Sequence, residues 1–205
     1  MNYFISDLHF GHVNCLAFDN RPFNTIEEHD EYIIDKWNET VKSDDNVYIL
    51  GDISWHTVPK TIEIFKNLNG NKHLCVGNHD SRYLKDKTLC SLFVEITDYK
   101  ELQLDSGMQI VLSHYPIPCF KNHFYGWYHL YGHVHSSFEW NMMENIKRQM
   151  TELYDKKCQM YNVGAMMPYM LYQPKTLRQI INGYESMLNE HALFSKSKTD
   201  LEDKS

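Results

Sequence analysis

Five short apolar runs in this chain are each followed at once by side chains that can bind metal ions. Each run is rich in β-branched or aromatic residues and stops at Gly, Ser or Asp, a pattern that favours a buried strand. The runs are residues 3–5, 47–50, 73–76, 110–112 and 128–131. If these strands pair in one core, their ends meet at one edge. We therefore expect the segments that follow them to lie close together.

Each of those segments contains at least one Asp, Asn or His residue. They are Asp7-Leu8-His9, Gly51-Asp52, Gly77-Asn78-His79-Asp80, Ser113-His114-Tyr115-Pro116 and Gly132-His133-Val134-His135. Carboxylate, amide and imidazole groups bind hard and borderline divalent cations. In the two alternating segments, D-L-H and H-V-H, both polar side chains would point the same way along extended chain. The pattern predicts a metal-binding edge.

The charge balance limits what the protein can bind. The chain has 205 residues, with 20 Lys and Arg against 27 Asp and Glu, so its formal net charge is -7. Binding to an extended nucleic-acid surface is driven by phosphate neutralisation and needs a basic face. We therefore expect no extended nucleic-acid surface, although a nuclease with a small footprint stays open.

The cysteines and the apolar runs indicate in which cellular compartment the protein is expected. The five cysteines are odd in number and form no C-x-x-C pair, so we expect small buried hydrophobic side chains rather than a disulfide framework. Met1 is followed almost at once by a predicted strand, and no apolar run approaches the ~18 to 20 residues of a membrane span. These features favour a cytoplasmic protein that does not bind membranes.

Helical patterns alternate with the predicted strands, which is typical of an α/β layered fold. They cover residues 26–41, with Thr25 as the cap, and residues 57–68, 83–92, 139–156 and 174–191. A hairpin is predicted between residues 101–104 and 110–112, so the second half should be more antiparallel than the first. We expect one domain, residues 1–193, and a polar C-terminal tail, residues 194–205.

The order of the five segments resembles the calcineurin-like metallophosphoesterase superfamily, whose pattern is D-x-H, G-D, G-N-H-[DE], a lone His and G-H-x-H. The resemblance covers about residues 1–165. It is strongest to small bacterial and phage members that begin D-L-H-F-G-H and carry a late N-V-G, here Asn162-Val163-Gly164. This resemblance implies a two-sheet β-sandwich flanked by helices, a four-layer α/β/β/α architecture.

The resemblance also implies a dinuclear metal centre. One cation would take Asp7, His9 and His135, the other Asn78, His114 and His133, and Asp52 would bridge them. Mixed Asn, Asp and His ligands accept several divalent metal ions, so Mn, Fe, Zn, Ni and Mg all stay open.

The family places His79 outside the metal ligands and close to the leaving group. The resemblance implies hydrolysis by a hydroxide that bridges two cations, with His79 donating a proton to the departing oxygen or stabilising it. Asp80, predicted as a second catalytic residue, would either orient His79 or brace the turn. Trp55 stands where many members have an acidic residue that hydrogen-bonds the catalytic histidine.

Three further residues are candidates for contact with the substrate phosphate. His12 follows the first motif, and the alternative for it is a structural hydrogen bond. Arg21 and Arg82 could clamp phosphate oxygens through the planar guanidinium, or lie on the surface in solvent. The aromatic segment at residues 120–128 is either a ring-binding pocket or ordinary core, and the stripe at residues 143–153 is either core, a lid or a dimer contact.

The predicted function is metal-dependent hydrolysis of a phosphodiester or phosphomonoester, on a small phosphorylated or nucleotide-like substrate. Two alternatives stay open, a non-catalytic scaffold of the same fold and a nuclease of the superfamily. Scaffolds of that descent usually lose ligands or the catalytic histidine, whereas this chain keeps them all. The sequence leaves the oligomeric state open.

Overall fold

Eight strands form two four-stranded sheets in the computed structural model, which describes the backbone of residues 1–202 and the side chains of residues 1–190. The strands are β1 Asn2–Ile5, β2 Asn46–Ile49, β3 Asn71–Cys75, β4 Phe93–Thr97, β5 Tyr99–Gln103, β6 Gln109–Ser113, β7 Tyr128–Tyr131 and β8 Gln159–Asn162. The first sheet has the order β1-β2-β3-β4 and is parallel. The second has the order β5-β6-β7-β8, and helices flank both sheets, as the α/β two-sheet prediction requires.

The first five helices lie between successive strands, and the sixth follows the last strand. They are α1 Val13–Phe18, α2 Ile26–Thr40, α3 Val58–Asn67, α4 Lys87–Cys90, α5 Phe138–Tyr154 and α6 Leu177–Glu202, with single 3-10 turns at Asp80–Arg82 and His123–Tyr125. The predicted cap of α2 is confirmed, because the Thr25 side chain accepts a hydrogen bond from the Glu28 amide at 3.2 Å. The helix predicted at residues 83–92 is wrong in extent, since only the short α4 forms there.

The strand directions agree only in part with the prediction. β5 and β6 form the predicted antiparallel hairpin. The pairs β6-β7 and β7-β8 are parallel, because the chain crosses back over the sheet through residues 114–127 before β7 and through α5 before β8. The second sheet is therefore mainly parallel.

The two sheets meet at the end of β1. The Ser6 amide donates to the Val163 carbonyl at 2.8 Å, and the Ala165 amide donates to the Ser6 carbonyl at 2.8 Å. These bonds place the segment after β8 beside the segment after β1. The ends of strands from both sheets therefore face one region, which is where the predicted metal ligands lie.

Most of the predicted apolar stripe of α5 packs inward. Met150 is buried and Met143 and Ile146 are half-buried, but Leu153 is 75% exposed and does not belong to the core. Cys15, Cys75 and Cys158 are buried and all five cysteines are free thiols. In the part of the chain that the structure describes, every helix is too short or too polar to cross a bilayer.

The predicted tail, residues 194–205, falls partly outside the described residues. The backbone of α6 continues through Glu202, and residues 203–205 lie outside the description. The division at residue 194 stays a prediction.

His129 on β7 is buried between backbone groups. Its Nε2 atom accepts a hydrogen bond from the Ile117 amide at 2.9 Å, so its Nδ1 atom carries the proton and donates to the Val111 carbonyl at 3.1 Å. Burial lowers the pKa of His129 to about 4. The imidazole is therefore a neutral structural group.

We predict that this histidine makes folding sensitive to acid. An unfolded histidine has a pKa of ~6.5, so between pH 6.5 and 4 the unfolded chain binds the extra proton and the folded chain does not. Stability should fall as pH falls through this window, by up to about 3 kcal/mol from this residue. Urea unfolding across the window should show a shallower loss for His129→Gln than for wild type, compared with His123→Gln as a control. Equal slopes for all three proteins would contradict the assignment.

Candidate metal centre

All seven predicted ligands lie on loops that follow strand ends. Asp7 and His9 follow β1, Asp52 follows β2, Asn78 follows β3, His114 follows β6, and His133 and His135 follow β7. Four of them, Asp7, His9, Asp52 and His114, are no more than 2% exposed. The others lie nearer the open side, so the site has a buried floor and a solvent-facing rim.

The first predicted set of ligands converges. Single donor atoms of Asp7, His9 and His135 all lie within 4.8 Å of one another. His9 Nε2 is 3.3 Å from His135 Nε2, and His135 Nε2 is 3.8 Å from Asp7 Oδ1. These three side chains form a group that could hold one cation.

The second predicted set converges on the Asn78 side chain. Asn78 Oδ1 lies 2.8 Å from His114 Nε2 and 2.9 Å from His133 Nδ1. Asp7, Asp52 and His114 form a further group with donor atoms within 4.8 Å. Asp7 is therefore shared by two groups, and all seven predicted side chains meet in one site.

Asp52 lies between the two sets. Its Oδ2 atom is 3.8 Å from His9 Nε2 in the first set and 3.7 Å from His114 Nε2 in the second. Its other oxygen, Oδ1, accepts a hydrogen bond from the His79 amide at 3.0 Å. One carboxylate thus contacts both halves of the site, the position that a bridging ligand needs.

The backbone at the ligands is left-handed, not extended. Asp7, His9, Asp52, His133 and His135 have φ between 49° and 69°. The expected extended D-x-H and H-x-H segments are therefore wrong, although the side chains still converge. Asp, Asn and His tolerate this conformation better than most residues, and such strain clusters at functional sites.

Two glycines allow the loops to approach one another. A Cβ on Gly132 would lie 1.9 Å from Ser6 Oγ and 2.5 Å from Asp7 Oδ2. Gly51 has a φ of +87°, and a Cβ there would lie 2.6 Å from the Gly77 backbone. Side chains at these positions would push apart the loops that carry the ligands.

Asp80 braces the loops and does not act on His79. Its buried carboxylate accepts hydrogen bonds from the amides of Gly77 at 2.8 Å, Asp52 at 3.0 Å and Ile53 at 2.9 Å. The predicted catalytic role is therefore contradicted, because both carboxylate oxygens face backbone amides. Of the two alternatives for Asp80, the structure favours the brace.

An aromatic ring, rather than a carboxylate, packs against His79 at a tilted angle of 55°. The exposed His79 imidazole lies 4.4 Å from the Trp55 ring, centroid to centroid. Trp55 also stacks on the His12 ring, with a centroid distance of 4.0 Å and an interplanar angle of 3°. Trp55 therefore packs against His79 at the sequence position where many family members have an acidic residue.

His12 contacts a predicted ligand directly. Its Nδ1 atom lies 3.2 Å from His9 Nδ1, which leaves His9 Nε2 for the site. The structural hydrogen bond considered as the alternative for His12 is thus present. Contact of His12 with the substrate stays a prediction.

Arg21 is a buried structural residue, so its predicted role as a phosphate clamp is wrong. Only 3% of the residue is exposed. Its guanidinium donates to the Asp19 carboxylate at 2.9 and 3.0 Å and to the carbonyls of Asp7 at 3.0 Å and Leu8 at 3.2 Å. These contacts support the first ligand loop from beneath.

Arg82 lies at the edge of the site. The residue is exposed, its Nη2 atom donates to the Ser54 carbonyl at 3.0 Å, and its Cζ atom is 5.7 Å from the Trp55 ring centroid. Its phosphate contact stays a prediction.

Asp19 supports a predicted ligand, and the sequence analysis missed it. Its carboxylate oxygens lie 2.9 and 3.0 Å from His135 Nδ1. A carboxylate on this nitrogen holds the proton on Nδ1 and presents Nε2 to a metal ion. The two residues are 116 positions apart, and the one local signal was an acidic residue close to Arg21.

The late N-V-G segment fixes the same loop. The Asn162 side chain donates from Nδ2 to the His135 carbonyl at 2.8 Å, and its Oδ1 atom accepts from the Gly164 amide at 2.9 Å. Asn162 is fully buried. It therefore ties β8 to the G-H-x-H loop.

The electrostatics of the site suit a cation. Burial, with the nearby Asp7 charge adding to it, raises the pKa of Asp52 to about 6. Burial lowers the pKa of His9 and of His133, which favours neutral imidazoles. Burial alone would lower the pKa of His135, but the hydrogen bond that its Nδ1 atom donates to Asp19 and the Asp7 charge raise it. The neutral imidazoles of His9 and His133 beside close carboxylates fit divalent cations.

A family model described as calcineurin-like phosphoesterase matches residues 3–173. The chain therefore belongs to the calcineurin-like phosphoesterase family, a family of metal-binding hydrolases.

Three other proteins are similar to this chain in sequence or in structure. An uncharacterised protein of Methanocaldococcus jannaschii is 34% identical over 137 residues, covering 66% of this chain and 69% of that protein. The gene 66 protein of Mycobacterium phage L5 is 30% identical over 130 residues, covering 56% of this chain and 62% of that protein. A crystal structure of the Aquifex aeolicus protein of unknown function AQ665 is 28% identical, with a TM-score of 0.65 over 89% of this chain and 98% of that chain. The match spans less than two thirds of the phage protein.

We predict that Asp19→Asn weakens metal binding at the His135 side. Loss of a carboxylate partner behind a ligating histidine typically costs 10- to 100-fold in metal affinity. Calorimetric titration of metal-stripped protein with Mn²⁺ should show this weakening in one of two sites. Asp35→Asn, an exposed aspartate on α2, is the matched control. Circular dichroism checks that the metal-free variant folds, and unchanged affinity in folded Asp19→Asn would overturn the assignment.

Proposed function

We propose that this protein hydrolyses phosphoesters with a centre of two divalent cations. The observation that carries the proposal is the convergence of two sets of ligands, Asp7, His9 and His135 in one and Asn78, His114 and His133 in the other, with Asp52 between them. Mn, Fe, Zn, Ni and Mg all suit this mixed donor set.

Cations bound at these ligands would neutralise phosphate charge and lower the pKa of a water molecule. The chain supplies the remaining functions. The buried floor of Asp7, His9, Asp52 and His114 keeps bulk water from one side of the site. The open rim of Asn78 and His79 leaves room for a phosphate ester.

His79 is the proposed general acid. Its imidazole is exposed at the rim and packs against the tilted Trp55 ring, and its backbone amide donates a hydrogen bond to Asp52 Oδ1. From this position it can deliver a proton to the departing ester oxygen, or stabilise that oxygen by a hydrogen bond. Since Asp80 is occupied by three amides, ring packing sets the orientation of His79.

The proposed substrate is a small phosphorylated or nucleotide-like molecule, bound in the cytoplasm. The net charge of -7 argues against an extended nucleic-acid surface. A non-catalytic scaffold of the same fold is the second candidate, and the intact set of ligands with an exposed His79 counts against it.

A substrate panel tests the proposal. Metal-stripped protein is supplied with each cation in turn and assayed against phosphomonoesters, phosphodiesters and nucleotides. Hydrolysis that depends on the restored cation supports the enzyme, and binding of cations without any hydrolysis supports the scaffold. Nicking of plasmid DNA at rates above those for small diesters would support a nuclease instead.

We predict that His79→Ala separates catalysis from metal binding. Loss of a general acid should reduce kcat by a factor on the order of 10² to 10⁴, whereas both cations should stay bound because the His79 ring lies outside the ligand sets. Metal analysis and steady-state kinetics of the same preparation measure the two effects, with His123→Ala as a control on a distant turn. Release of a cation from His79→Ala would make His79 a ligand.

A further inference from the structure

A cavity of about 260 Å³ adjoins the metal centre on the His133 side. Its walls come from the loop after β6, the G-H-x-H loop and the first turns of α5. The lining residues include Tyr115, Pro116, His133, Glu139, Met142 and Met143. We refer to this space as the Tyr115 cavity. Residues 120–128, the aromatic segment considered as a ring-binding pocket, do not line it.

The Tyr115 cavity has apolar walls that meet a predicted ligand. Tyr115 is 49% exposed and Met142 is 45% exposed, so neither side chain is buried in the core. The Tyr115 ring lies 4.4 Å from the His133 ring at an interplanar angle of 60°. His133 Nδ1 lies 2.9 Å from Asn78 Oδ1 inside the metal centre. One imidazole therefore separates the centre from the cavity.

We propose that the Tyr115 cavity binds a flat aromatic group on the phosphoester, which makes phosphodiesters with an aromatic or heteroaromatic ester group the preferred substrates. This inference rests on the proposed function. Tyrosine presents a stacking face, and methionine packs its polarizable sulfur against aromatic rings. The cavity lies just below the range of ~300–1,000 Å³ found for sites of drug-sized ligands, so it suits one ring system rather than a polymer.

The position of His79 determines which ester group enters the cavity. The His79 ring packs against Trp55 and lies 6.5 Å from His9, centroid to centroid. The Tyr115 cavity instead adjoins His133, a member of the other ligand set. Because the proton donor belongs beside the leaving oxygen, the leaving group lies toward Trp55. The ester group that stays on phosphorus lies toward Tyr115.

Glu139 limits the charge of that group. Its carboxylate is exposed on the cavity wall, in the first turn of α5. A second phosphate on the bound group would meet this negative charge, whereas a neutral ring or one with an amino group would not. The cavity therefore favours a singly charged diester over a polyphosphate.

Two matched diesters test the inference. The compounds 4-nitrophenyl phenyl phosphate and 4-nitrophenyl methyl phosphate share one leaving group and one charge, and differ only in the group that stays on phosphorus. Wild type should prefer the phenyl ester in kcat/KM by about 5- to 100-fold, the range for stacking one ring. Tyr115→Ala and Met142→Ala should lose most of this preference, through a rise in KM for the phenyl ester. Leu153→Ala, an exposed position at the far end of α5, is the control.

A binding measurement keeps the inference testable without turnover. Calorimetry of the Mn²⁺-loaded protein with diphenyl phosphate and dimethyl phosphate should show tighter binding of the diphenyl compound, and Tyr115→Ala should remove the difference. Equal affinity of wild type for the two compounds, or a phenyl preference that survives both substitutions, overturns the inference. Absence of hydrolysis of every ester by metal-loaded wild type overturns the proposed function instead, and the binding result then decides the cavity separately.

Discussion

Two buried carboxylates lie close together where the sheets meet, and the rest of the site is arranged around them. Asp7 is fully buried and Asp52 is 2% exposed, and both belong to one group of donor atoms within 4.8 Å. Burying a charge is costly unless it is paired or coordinated to a metal ion. The imidazoles of His9 and His114 are buried beside the pair, and those of His133 and His135 lie nearer the side that opens to solvent. A site of this composition is stabilised by divalent cations, which is the basis of the metal-dependent chemistry proposed for it.

Buried polar side chains outside the ligand sets hold the ligand loops in place. The Asp80 carboxylate accepts hydrogen bonds from three backbone amides of two loops, and the Arg21 guanidinium donates to the Asp7 carbonyl. Asp19 and Asn162 both act on His135, one at the ring and one at the backbone. Because these groups satisfy one another's hydrogen bonds, the strained left-handed backbone at the ligands persists.

The ligand positions could be predicted from sequence because each follows a short apolar strand, and parallel strands bring their ends to one edge. The two-sheet α/β architecture was implied by the resemblance to the family and not by the strand patterns themselves. Local patterns could not place Arg21 or Asp19, since their roles depend on contacts with Asp7 and with His135, 116 positions away from Asp19. The sequence left the role of Asp80 open between orienting His79 and bracing the turn, because it does not show whether the carboxylate faces a side chain or backbone amides. The H-V-H spacing predicted that both histidines reach the site but not their left-handed backbone, because side chains can reach one site from different φ angles.

Anomalous X-ray diffraction from crystals grown with Mn²⁺ tests the central claim most directly. The account predicts two anomalous peaks per chain, one among Asp7, His9 and His135 and one among Asn78, His114 and His133, with the Asp52 carboxylate between them. A single peak, or peaks away from these side chains, would contradict it.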